Sequence, residues 1–175
     1  MKRLKLPFTD REIKSLKAGE EFLLSGTVYT ARDTVHKILT KLLKDGKRPP
    51  IPLKDKAIYY TGPTPPPPGK VIGSCGPTTS ARMDVFTPML LENGLRVMIG
   101  KGGRSKAVKE SIKKHKALYL LAPAGCGALL SKKIKKMTLV AYKDLGPEAI
   151  YELLLSDFPV IVGIDARGND IFKIL

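Results

Sequence analysis

A set of short, continuous apolar runs, spaced by helix-length stretches, constrains this fold more than any other feature. IYY at 58–60, VMIG at 97–100, LYLLAP at 118–123 and VIVGI at 160–164 carry no polar alternation. A strand with one face in water alternates polar and apolar residues, so unbroken runs predict strands covered on both faces. Between them, ARDTVHKILTKLLKDG sets Val35, Ile38, Leu39, Leu42 and Leu43 on one stripe and closes on Gly46. KGGRSKAVKESIKKH likewise sets Ala107, Val108 and Ile112 on one side. Strands alternating with amphipathic helices predict an α/β domain, its mostly buried sheet flanked by helices. At 175 residues and 43% apolar, the chain suffices for one domain, 1–175, with a real core.

Finer elements follow from local signals. Thr9 and Glu12 have capping-box spacing and open a short helix. EEFLLSGTVYT, KVIGSC and MTLVAY read as strands, LGPEAIYELLL as a helix, and the terminal IFKIL as a strand. GPTTSARMDVFTPMLLENG reads as a turn and a helix that Pro88 kinks or restarts. TPPPPGK is a stiff polyproline loop.

The formal net charge is +15, from 31 Lys and Arg against 16 Asp and Glu. Nucleic acid, an acidic partner subunit and a small anion all suit such a charge. Much of the excess sits in runs such as Lys132, Lys133, Lys135 and Lys136, which read as solvated surface. No RRM, KH, helix-turn-helix or zinc-finger signature is present, and aromatics are only 6%, which argues against nucleic acid as the main partner. No apolar run approaches the roughly 20 residues that span a bilayer, so no membrane is expected. The basic N-terminus leads into no apolar signal segment, and the two cysteines form no CxxC, which suits a cytoplasmic, reducing placement.

Three strand ends run into glycine turns: GSCGP, MIGKGG and APAGCG. Ligands of α/β sheets bind at strand carboxyl ends, so the chemistry is expected where these turns meet. In SCGPTTSARMD, Thr78 and Arg82 are four apart and share a face if the segment is helical. A hydroxyl, a guanidinium and free backbone N–H groups aimed at one spot suit an anion. Thr78 and Thr79 also read as plain cap and turn residues, and Arg82 as a surface ion pair. Arg32 opens the helix of TARDTVHK, where a bidentate donor beside free N–H groups makes a carboxylate or phosphate site. Asp33 and His36 are one turn apart, a spacing that allows them to pair and orient the ring; a dipole-offsetting Asp and a surface His are the plainer reading. Lys101 sits between glycines, where it reaches an anion as a point charge. No GxxxxGK[ST] or GxGxxG frames it, so nucleotide binding lacks support. Cys75 and Cys126 are too few for an iron–sulfur cluster, and no metal site is expected.

Taken in order, IYYTGP, GSCGPTTSARMD, the KGGRS loop and DFPVIVGIDARGND resemble the beta subunit, or C-terminal domain, of the class I, iron–sulfur fumarate hydratase and L-tartrate dehydratase family. The resemblance runs from about Gly26 to Leu175, and GPTTSARM and RDTVH are its most specific stretches. It implies a swivelling β/β/α domain in a hydro-lyase that interconverts fumarate and (S)-malate. It also implies a [4Fe–4S] cluster ligated by a partner alpha subunit, with one open iron acting as a Lewis acid. By position in these motifs, Arg32, Arg82 and Lys101 would meet the small dicarboxylate substrate, with Thr79 as a further contact. Thr78 would take part in proton abstraction, while Asp33 and His36 support Arg32. This chain alone would be inactive, and a homodimer or an α2β2 assembly is expected. PAGCGALL, with Cys126 after the Gly, leans towards L(+)-tartrate as the alternative substrate. A stand-alone anion- or RNA-binding module and a purely structural subunit remain as other classes.

Overall fold

The computed structural model describes residues 1–174. Among the described residues, seven strands and six α-helices follow one another. The strands are β1 (Arg3–Lys5), β2 (Glu21–Thr30), β3 (Ala57–Tyr59), β4 (Val97–Gly100), β5 (Leu118–Leu121), β6 (Ile134–Ala141) and β7 (Ile150–Ile164). The helices are α1 (Asp10–Ser15), α2 (Asp33–Lys44), α3 (Thr87–Glu92), α4 (Lys106–His115), α5 (Gly127–Ser131) and α6 (Ile171–Ile174). No described helix is long and apolar enough to cross a membrane.

The sheet has the order β1-β2-β3-β4-β5-β7-β6, with a further pairing of β2 to β7. β2, β3, β4 and β5 run parallel. β7 runs antiparallel to β5 at one end and to β2 along most of its length. Five strands therefore close into a barrel, with β1 and β6 attached outside the ring. Closure turns the two covered faces expected from the apolar runs into an inside and an outside. Ala57, Tyr59, Val97, Ile99, Leu118 and Leu120 point into one cluster with Phe22, Phe158 and Val162. The alternate residues Ile58, Tyr60, Met98 and Tyr119 join Val35 and Leu39 of α2 and Val108 and Ile112 of α4 in the second. The period of two in side-chain direction is what sorts one unbroken apolar run into two cores.

Local signals account for several boundaries. Thr9 caps α1: its Oγ1 accepts the Glu12 N–H at 3.2 Å, and its own N–H donates to Glu12 Oε2 at 2.7 Å. Pro88 restarts the chain as α3 in its first turn, where a missing N–H costs nothing.

Four readings are corrected. KVIGSC is not a strand. Its backbone is used locally, Thr64 pairing with Gly73 and Ser74 and the Cys75 N–H reaching the Gly127 carbonyl at 3.2 Å. LGPEAIYELLL is not a helix but a 3₁₀ segment, Lys143–Glu148, running into β7. Pairing with β2 on one edge and β6 on the other outweighs its helical spacing. GPTTSARMD is a four-residue 3₁₀ turn, Ser80–Met83, with Thr78 outside it. The terminal segment is the helix α6; Leu175 lies outside the described residues.

Candidate active site

β2, β3 and β4 lie side by side and end at Thr30, Tyr59 and Gly100. The segments leaving those three ends carry the candidate residues. After β2, Arg32 takes an extended conformation and becomes the N-cap of α2 without a side-chain cap bond. Its guanidinium lies across the turn that follows β3. A Cβ on Gly62 would stand 2.9 Å from Arg32 Nη1, 3.0 Å from its Cδ and 3.1 Å from the Pro147 carbonyl. Only a bare backbone admits the arginine there. Glu148 Oε1 lies 3.9 Å from Arg32 Nε, a loose pairing that leaves this buried N–H without a hydrogen bond. Glu148 reaches this place because Thr30 Oγ1 donates to the Ala149 carbonyl and accepts the Tyr151 N–H, tying the end of β2 to the start of β7.

Beyond β3, the Thr78 N–H donates to the Tyr60 carbonyl at 2.7 Å. Thr79 bridges in parallel to Lys101, which directly follows β4. The Lys101 N–H donates to Ser80 Oγ at 3.1 Å, and the Ser80 N–H returns to the Lys101 carbonyl at 3.1 Å. This double tie needs Gly100, because a Cβ there would collide with Ser80 Oγ and with the Tyr60 ring. Arg82 then reaches back to α2. Its Nε and Nη2 clasp the Asp33 carboxylate at 3.0 and 3.2 Å, and Nη2 also donates to Thr78 Oγ1 at 2.8 Å. Thr78 and Arg82 thus meet as their spacing suggested, although a 3₁₀ turn rather than an α-helix brings them together. Thr79 makes no side-chain cap bond.

The Asp33–His36 pair that the spacing allows does not form. Asp33 is taken by Arg82, and His36 Nδ1 lies 2.8 Å from the Arg32 carbonyl, so Nδ1 carries the proton and donates. His36 is fully buried against Tyr60 and Phe86 rather than on the surface. Burial, only partly opposed by the Arg32 carbonyl, pushes its pKa down to about 4. The ring is therefore neutral and holds the Arg32 backbone in place.

The sulfurs make a poor metal shell. Cys75 is buried beside Thr61 Oγ1, and desolvation pushes its thiol up to about 12. Cys126 is partly exposed at the start of α5. Among the described residues, no group of three His, Cys, Asp or Glu side chains is placed to hold a metal ion. The three glycine turns do converge, the Cys75–Gly127 hydrogen bond closing the third against the first.

Several residues here escaped the sequence reading. Glu148 is 116 positions from Arg32, and nothing local marks it. Ser80, Tyr60 and Arg104 lay inside motifs already singled out, but only the packing shows that they bind the loops together.

The family model described as Fumarase C-terminus matches residues 1–175, the whole chain. The chain belongs to this family. It is 41% identical over 152 residues to "Fumarate hydratase class I, anaerobic" of Escherichia coli, covering 86% of this chain and 28% of that protein. It is 35% identical over 165 residues to "Fumarate hydratase 2" of Leishmania major, covering 93% of this chain and 29% of that protein. "L(+)-tartrate dehydratase subunit beta" of Escherichia coli is 35% identical over 176 residues, 97% of this chain and 86% of the relative. This fumarase C-terminus chain therefore spans under a third of the fumarate hydratases but most of the tartrate dehydratase beta subunit. RDTVH follows β2 directly, and GPTTSARM lies beyond β3, ahead of α3.

Proposed function

We propose that the chain is the beta subunit of a hydro-lyase that interconverts fumarate and (S)-malate, and that its own part is to clamp the substrate carboxylates. The observation that carries this reading is the gathering of Arg32, Thr78, Arg82 and Lys101 over the adjoining carboxyl ends of β2, β3 and β4, in a chain of the fumarase C-terminus family. Along that edge Arg32 follows β2, the Thr78–Arg82 segment lies beyond β3 and Lys101 follows β4; in this reading the cations share one small dianion. Thr79 adds a hydroxyl beside Lys101. Removing a proton from the carbon next to a carboxylate drives negative charge onto that carboxylate. Fixed cations beside it stabilise the transition state more than the ground state.

Thr78 takes the proton in this reading. Its hydroxyl accepts a hydrogen bond from the Arg82 cation, which favours the alkoxide form. A threonine is still a weak base near neutral pH, and Asp33 is engaged with Arg82. A carboxylate from another subunit must then carry the proton onward. The [4Fe–4S] cluster and its ligands are assigned to that alpha subunit, since the sulfurs here are unsuited to hold it. The partner would also cover Val85, which is 81% exposed three residues past Arg82. Cytoplasmic location and an α2β2 assembly belong to the same proposal.

L(+)-tartrate is the second reading, favoured by a match over 97% of this chain and 86% of a tartrate dehydratase beta subunit. The deciding experiment is an anaerobic assay of this chain co-purified with its alpha subunit, on fumarate and on L(+)-tartrate. Fumarate turnover that needs both chains is the expected result. Tartrate turnover instead would replace the substrate, and inactivity on both with a loaded cluster would overturn the reading.

A further inference from the structure

Arg104 lies three residues past Lys101, and its side chain is 0% exposed. A buried guanidinium persists only where its donors are met. Its Nε donates to Asp84 Oδ1 at 2.7 Å, and its Nη2 donates to Thr87 Oγ1 at 2.8 Å and to the Tyr60 hydroxyl at 3.3 Å. Its central carbon stands 4.8 Å from the Tyr119 ring centre and 5.2 Å from that of Tyr60, within cation–π range. The second Asp84 oxygen accepts the Ser105 N–H at 2.7 Å, which closes the loop onto the same carboxylate.

Each partner belongs to a segment that carries the candidate site. Asp84 is two residues past Arg82, and the Tyr60 carbonyl holds the Thr78 N–H. The Tyr119 hydroxyl lies 2.8 Å from both Ser80 Oγ and the Gly102 carbonyl. Lys101 itself has a long side chain and stands before two glycines, so its own loop lends it little rigidity. Resting on the function proposed above, we propose that Arg104 is a positioning residue that locks the Lys101 loop to the Thr78–Arg82 segment. The substrate then meets the lysine and the threonine in one preset geometry. Arg suits this place because one planar fork meets several partners at once, whereas a lysine offers a single point.

The test is Arg104→Lys in the complex with the alpha subunit, with amide hydrogen exchange measured on the same protein. kcat/KM for fumarate should fall at least about tenfold, with kcat itself lowered, because the threonine and the lysine lose their preset geometry. Exchange should quicken at the Lys101 and Ser80 amides and stay unchanged at Met98 and Ile99 in β4. Unchanged kcat/KM and unchanged exchange would overturn the proposal, as would exchange that quickens equally throughout, the mark of a plain core residue. If Arg104→Lys does not accumulate as folded protein, Asp84→Asn breaks the same link, since its single carbonyl oxygen cannot accept from both Arg104 and Ser105, and the same readouts apply. If the wild-type complex turns over neither fumarate nor tartrate, the proposed function fails, and exchange at Lys101 and Ser80 alone decides the positioning role.

Discussion

His36 gives a pH dependence that is independent of any substrate. It is fully buried, with Nδ1 bonded to the Arg32 carbonyl and Nε2 without a partner. Its folded pKa is about 4 against an ordinary 6.5, chiefly through desolvation. Between these values the unfolded chain binds the proton and the folded chain does not. Stability is therefore full above pH 6.5 and falls as pH drops towards 4. At about 1.4 kcal/mol per pKa unit, the loss reaches about 2 kcal/mol by pH 5 and about 3 kcal/mol below pH 4. His36→Asn keeps an N–H near the Arg32 carbonyl and cannot titrate. Urea unfolding of both proteins at pH 7.5 and pH 5 measures the difference. With slopes of about 1–3 kcal/mol per molar, the wild-type midpoint should fall roughly 1 M further than that of the variant. Asp10 and Glu12, whose pKa values are held down by Arg96 and by Thr9 respectively, titrate at lower pH and do so in both proteins. Equal midpoint shifts in the two proteins, or an NMR titration of His36 centred near 6.5, would refute the desolvation account.

Gly62→Ala should raise the substrate KM about tenfold or more by displacing Arg32, since a charge-assisted hydrogen bond is worth about 1.5–3 kcal/mol; KM equal to wild type would show that the guanidinium adjusts freely. Arg82→Ala should lower kcat/KM by about a hundredfold yet shift the thermal midpoint little, because its pair with Asp33 is 47% and 39% exposed and contributes under about 1 kcal/mol. Val85→Asp should weaken co-purification with the alpha subunit without changing the melting of the chain alone, and undiminished co-purification would place the interface elsewhere.

Much of the candidate site was legible because its signals are local. The spacing of Thr78 and Arg82, the arginine opening α2 and the lysine between glycines are all marked within a few residues, and the two do meet as their spacing suggested. The Asp33–His36 pair that spacing allowed does not form: Asp33 takes Arg82, 49 positions away, and His36 takes the Arg32 backbone one turn back.

By itself the sequence determined the alternation of buried strands and amphipathic helices, the capped start of α1 and the restart at Pro88. These depend on side-chain period, capping hydrogen bonds and the missing proline N–H, all short-range. Only tertiary structure decided that the sheet closes through β2 and β7, that LGPEAIYELLL ends in a strand, and that KVIGSC stays a loop. For the two strands the backbone hydrogen-bond partners lie far along the chain, while KVIGSC turns to Thr64 nearby and to Gly127; short apolar runs do not record which edge they will pair with. The burial of Arg104 and the reach of Glu148 to Arg32 were decided in the same way, since a charged side chain shows its partner only once the fold has brought the two together.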